Sequence, residues 1–279
     1  MKKGITYRSF PGGPTAGKDP YEAIVEARRL GYESIELATG FTGRFTLETD
    51  EAACRRIAEH ARKTGLEISS LATVLHWECS LTDADPAVRR RSVEATRRVL
   101  QQGAWLGVDA VLVIPGFVDV FWNPKADVVP YDAAYERSLE GCRELAATAE
   151  RHRVALCLEN VWNRFLLSPL EFRDFIDKVG SAWVGVYFDV GNCFLNGYPE
   201  QWISILGRRI RRVHVKDFKR SVGTIDGFCP LFEGEIEWRK VMEALRAVGY
   251  DGYITGEMMP PRPGLLERTS ADLDRLLRL

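Results

Sequence analysis

Eight short apolar or β-branched runs recur along the chain, separated and followed by longer stretches of helical spacing. Strand and helix alternating in this way build a parallel sheet whose crossovers are helices. The strands are expected at Gly4 to Phe10, Ser34 to Ala38, Glu67 to Thr73, Ala110 to Ile114, Val154 to Glu159, Val184 to Asp189, Arg211 to Lys216 and Gly252 to Glu257. Helices are expected over Pro20 to Leu30, Asp50 to Thr64, Ala87 to Leu106, Tyr131 to His152, Pro169 to Val179, Glu235 to Val248 and Gly264 to Leu277. Asp19 before Pro20 pairs a cap residue with proline at the first helical position. Gly31, Gly65, Gly107 and Gly249 each stand shortly before the next strand, where a left-handed terminator belongs.

No linker, low-complexity tract or shift in composition divides the chain, so residues 1–279 are expected to form one domain. A doubly wound open sheet also fits the alternation, but no GxGxxG follows the first strand. A single (β/α)8 TIM barrel is therefore the expected fold. The long loops from Gly116 to Pro130 and from Phe218 to Gly234 are expected to cover the active site, since loops after strands build it.

With 38 basic and 39 acidic residues there is no global positive field, so nucleic acid is not an expected partner. The start, MKKGITYRSFPGG, has too brief an apolar run before Arg8 for a secretory signal, and no stretch approaches the ~20 apolar residues that span a bilayer. A cytoplasmic protein without a membrane partner is the expectation. The six cysteines are scattered without a CxxC pair and read as free, mostly buried thiols.

Barrel chemistry is carried at the carboxyl ends of strands. The fifth strand, VALCLEN, ends in Glu159, and the sixth, VGVYFDVGN, in Asp189; the seventh, RRVHVKDF, presents His214, and the eighth, DGYITGEM, ends in Glu257. Each interrupts an apolar run, where an unpaired charge would cost several kcal/mol. Taken singly, a carboxylate at a strand end is more often a helix cap or ion-pair partner, and a histidine in an apolar strand more often a satisfied core residue. Together they offer three carboxylates and one imidazole, a hard site suited to one divalent ion, Mn²⁺ first and Mg²⁺ or Co²⁺ as alternatives.

Other residues near these ends are candidate substrate contacts. Lys216, Lys219 and Arg220 follow the seventh strand and Arg262 the eighth, where barrels commonly hold phosphate, though a solvated basic loop reads equally well. His76 with Trp77, Trp122 and Trp162 could line a sugar pocket or pack in the core or rim. Glu36, placed at the end of the second strand, could bind a hydroxyl or merely orient a neighbour.

The phrases LEN, YFDVGN, HVKDF and TGEM, with GEIEW at Gly234 to Trp238, resemble the xylose isomerase-like barrels of the sugar phosphate isomerase/epimerase superfamily. That group includes ketose 3-epimerases, L-ribulose-5-phosphate and L-xylulose-5-phosphate 3-epimerases, hydroxypyruvate isomerases, inosose dehydratases and, more distantly, endonuclease IV. The resemblance implies that Glu159, Asp189, His214 and Glu257 bind the metal, that Glu159 and Glu257 also serve as acid and base, and that Arg220 touches substrate oxygens. It also implies a homo-oligomer, dimer or tetramer. Asn192 stands where many epimerases have a histidine that touches substrate, and Phe165 where free-sugar epimerases carry a further glutamate. These departures bear on a free-ketose substrate and not on the metal set.

The expected activity is proton transfer on a ketose or ketose phosphate through a metal-stabilised enediolate, giving epimerisation or aldose–ketose isomerisation. A lyase acting on an inosose or a 3-oxo glycoside would share the enolate step. An endonuclease IV-like phosphodiesterase would need more metal ligands; His60 and His152 fall in expected helices. A noncatalytic sugar-binding barrel would need no metal.

Overall fold

A computed structural model describes residues 1–12, 18–120 and 127–279. Eight parallel strands close into a barrel: β1 Lys2–Thr6, β2 Ser34–Thr39, β3 Glu67–Thr73, β4 Ala110–Val113, β5 Ala155–Glu159, β6 Val184–Asp189, β7 Ile210–Val215 and β8 Tyr253–Gly256. Neighbours in sequence are neighbours in the barrel, and β8 pairs with β1 to close it. Helices cover the outside, and the apolar core lies between them and the strands.

The local chemistry of the helix ends accounts for much of this. Asp19, Asp50, Asp85 and Ser168 each accept backbone N–H bonds as N-caps, three of them ahead of a proline in the first turn. Gly31, Gly65, Gly107 and Gly249 all have positive φ and lie where the chain leaves a helix, as expected.

Several boundaries differ from expectation. The first strand ends at Thr6 and gives way to a 3-10 turn, Tyr7–Ser9. The last helix starts at Leu265, with Gly264 as its cap, and the preceding one runs Trp238–Ala247 and not from Glu235. Asp217 explains the later start: its carboxylate accepts the backbone N–H groups of Phe218, Phe232 and Ile236 and the indole N–H of Trp238, holding GEIEW as a loop. A Cβ on Gly234 would collide with that carboxylate. An unexpected helix, Pro199–Leu206, supplies the crossover after β6, behind a short one at Val190–Phe194.

Inside the barrel, polar groups replace the usual branched apolar layers. Contacts between strands that are not neighbours prove the inward direction: Ser70 of β3 meets Tyr187 of β6 at 3.1 Å, and Glu36 of β2 meets His214 of β7 at 3.0 Å. At the amino-terminal end, Arg212 donates to the Ser69 carbonyl and pairs with Asp109, and the exposed Lys2 lies 2.6 Å from Glu67. Five cysteines are buried and Cys229 is half-buried, all with free thiols. Among the described residues no helix is long and apolar enough to cross a membrane.

Candidate metal centre

Strand ends set the geometry. The register places Asp189 opposite His214 and Thr255 opposite His214 on its other side, so the carboxyl ends of β6, β7 and β8 lie side by side. Glu159 closes β5 beside Tyr187 of β6. Ligand atoms of Glu159, Asp189, His214 and Glu257 consequently lie within 4.8 Å of one another, all four buried.

His214 Nδ1 is 3.6 Å from Glu159, 3.8 Å from Asp189 and 4.0 Å from Glu257. It is buried and makes no hydrogen bond. An unsatisfied buried nitrogen facing three carboxylate oxygens is costly as a purely protein arrangement and suits a cation at the shared point. The donor set, three oxygens and one imidazole nitrogen, fits a hard or borderline divalent ion. The fold thus brings the four strand-end residues singled out in the sequence to one place.

Two further cations approach the cluster. Lys216 Nζ lies 2.6 Å from Asp189 Oδ2 and 2.5 Å from Glu257 Oε2, and Arg8 reaches Glu257 Oε1 at 3.3 Å. A Cβ on Gly191 would sit 2.5 Å from the Lys216 side chain, so the glycine of DVGN admits the lysine stem. Arg8 escaped the sequence reading; its signal was a lone basic residue just beyond the end of β1.

Charges divide the two glutamates. Burial pushes Glu159 up to about 7, helped by Glu257 and Asp189 and opposed by His214. Burial acts the same way on Glu257, but Lys216, His214 and Arg8 outweigh it and hold that carboxyl well below the usual range. Desolvation works against a charged His214, yet Glu36 and Glu159 raise it well above the ordinary imidazole range.

Asn192 donates through its side chain to the Asn160 carbonyl at 3.0 Å, and its backbone N–H is capped by Asp189. Asn160, not singled out from the sequence although it follows Glu159 directly, forms a two-way bond with the Asp189 backbone, 2.8 Å each way. Trp162 donates to the Asn192 carbonyl and packs against Phe218 and Phe228. Arg220 bonds the carbonyls of Phe194 and Gly197 and covers the rings of Phe194 and Tyr198, buttressing the segment after β6. His76 is buried against Thr96, and burial lowers it to about 4. Lys219 and Arg262 are exposed. Trp122 lies outside the described residues.

Glu36, expected at the end of the second strand, lies elsewhere. It stands within β2, not at its end, and points into the barrel beneath His214. Phe165 is buried among Tyr131, Tyr135 and Phe175. A cleft of about 240 Å³ lies between the segments that follow β5 and β6, lined in part by Asn160, Trp162, Asn192, Asn196 and Trp202 and by none of the four cluster residues.

Residues 24–278 match the model of the xylose isomerase-like TIM barrel family. The chain belongs to that family. Among curated proteins, L-ribulose-5-phosphate 3-epimerase UlaE of Shigella flexneri is 25% identical over 259 residues, covering 91% of this chain and 86% of that protein. An uncharacterized Methanocaldococcus jannaschii protein, MJ1311, is 27% identical over 187 residues, and the match spans 61% of its length. Among solved structures, D-psicose 3-epimerase from Clostridium cellulolyticum H10, with D-tagatose, aligns at TM-score 0.81 and 20% identity, covering 100% of this chain and 98% of that one. The 3-keto-D-glucoside 4-epimerase YcjR from E. coli aligns at TM-score 0.79 and 16% identity over the full length of both chains. At these identities the solved structures speak to the fold.

Proposed function

We propose that the chain is a divalent-metal-dependent epimerase or isomerase of a ketose or ketose phosphate. The observation that carries this reading is the meeting of Glu159, Asp189, His214 and Glu257, with His214 Nδ1 facing the three carboxylates and making no hydrogen bond of ordinary length. Family membership and the likeness to an L-ribulose-5-phosphate 3-epimerase support the substrate class.

Those four residues would hold the ion, Mn²⁺ in the first instance. When bound, it supplies positive charge to the substrate's ketone oxygen and so makes the neighbouring C–H acidic. Glu257, kept ionised by Lys216 and Arg8, takes that proton as the C–H electron pair moves toward the ketone oxygen. Glu159 returns a proton to the same carbon from the other side, inverting it. Glu257 then gives its proton to water and Glu159 takes one from water, which restores the starting charges. In the reverse direction the two glutamates exchange roles. Return of the proton to the adjacent carbon instead would give aldose–ketose isomerisation with the same groups.

Chelator-treated protein, reloaded with Mn²⁺, tests this reading against ketoses, ketose phosphates and 3-keto glycosides in D₂O. Deuterium at the inverted carbon supports epimerisation. Elimination would move the chain to a lyase, and no exchange with any of the three classes would contradict the proposal.

A further inference from the structure

Glu36 is fully buried in the barrel, a costly place for a carboxylate. Among the described residues it pairs with no lysine or arginine; its charged partner is His214, with Nε2 3.0 Å from Glu36 Oε1. The other oxygen accepts the hydroxyls of Ser70, at 2.9 Å, and Tyr187. Ser70 and Tyr187 also touch each other, and the Tyr187 ring packs 4.5 Å from the His214 ring. Glu36 thus holds the imidazole nitrogen that faces away from the three carboxylates, while Ser70 and Tyr187 hold Glu36 and the Tyr187 ring packs on the imidazole.

The backbone is adjusted at these same places. Pairing of β2 with β3 slips between Ile35 and Glu36, so that Ser70, and not Ser69, stands beside Glu36. Pairing of β6 with β7 slips between Val186 and Tyr187, bringing Arg212 beside Tyr187 and His214 beside Asp189. Without the first slip the hydroxyl of Ser70 would belong to the opposite face of the sheet. Local irregularities that re-aim side chains are characteristic of functional regions in sheets.

From this geometry we infer that Glu36, supported by Tyr187 and Ser70, is a positioning residue that fixes the tautomer and ring orientation of His214 and thereby sets metal affinity. The inference rests on the metal-dependent reading proposed above. In the metal-loaded protein, an Nε2–H donated to Glu36 would keep the remaining proton on the far nitrogen and leave the Nδ1 lone pair for the ion beside Glu159, Asp189 and Glu257. A carboxylate behind a ligating histidine also raises the basicity of the ligand, and loss of such a partner costs roughly 10–100-fold in metal affinity.

The test is calorimetric titration of Mn²⁺ into chelator-treated wild type and Glu36→Gln, with unfolding temperature measured on both. The amide keeps the shape but can present either end to the imidazole, so affinity is expected to fall roughly 10–100-fold while the variant stays folded. ¹⁵N NMR of the Mg²⁺-loaded proteins reads the tautomer, with the His214 Nε2–H signal present in wild type and weakened or shifted in the variant. Tyr187→Phe and Ser70→Ala, which each remove one hydroxyl from Glu36, are expected to give smaller losses. They also carry the test if Glu36→Gln does not fold. Equal Mn²⁺ affinity in wild type and in the folded variants would overturn the role of Glu36 alone. Absence of binding by wild type would overturn the metal reading and this inference with it.

Discussion

Lys216 Nζ stands 2.5 Å from Glu257 Oε2 and, from the same position, 2.6 Å from Asp189 Oδ2. A protein cation therefore bridges two of the four groups that would hold a metal ion. With three carboxylates drawn together out of water, this ammonium offsets part of their mutual repulsion. It also competes with a divalent ion for the same oxygens. Lys216, a candidate phosphate or substrate contact from its place after the seventh strand, has partners that give it a part in the charge balance of the cluster.

Replacing Lys216 with Met separates these two effects. The metal-free protein is expected to lose about 3–5 kcal/mol, because two buried carboxylates lose their partner. Mn²⁺ should then raise the unfolding temperature more in the variant than in wild type, since binding no longer has to displace or tolerate an ammonium. Thermal scans with and without Mn²⁺ check both; an equal or smaller shift in the variant would show that Lys216 does not compete.

Glu257→Gln and Glu159→Gln are expected to lower kcat by about 10²–10⁴ on whichever ketose proves to be the substrate, the range for a lost acid or base. Circular dichroism should be unchanged. Retention of the wild-type rate by either variant would remove that residue from proton transfer.

His76 gives a pH dependence independent of the cluster. Burial lowers it from the ordinary 6.5 to about 4 in the folded chain. Between these values the unfolded chain binds the extra proton, so stability is full above pH 6.5 and is lost as pH falls through 4. The loss amounts to about 3 kcal/mol. Urea titrations across this window, compared with His76→Asn, should show a shallower pH slope in the variant; identical slopes would contradict it.

The four convergent residues were legible in the sequence because each breaks an apolar run at the carboxyl end of a strand, and closure of the barrel does the rest. Glu36 was harder to place. Its partner lies on β7, 178 residues away, and only the barrel interior brings them together. The inward aim of Ser70 depends on a slip in strand pairing that no period-two pattern announces. Arg220 matched a spacing, yet carbonyls of the segment after β6 claim its guanidinium, a contact set by a short helix too brief to show its own period. Pro199–Leu206 was missed for the same reason, although Pro199 marks its first turn. GEIEW was recognised as a phrase, whereas its work as a loop pinned by Asp217 required the fold.

The central claim is that Glu159, Asp189, His214 and Glu257 jointly bind one divalent ion. Calorimetric titration of Mn²⁺ into chelator-treated wild type and Asp189→Ala tests it most directly. One ion per chain is expected in wild type, with affinity in the variant down by more than about 100-fold, beyond the effect of an outer partner. No binding by wild type, or binding that Asp189→Ala leaves unchanged, would contradict the claim.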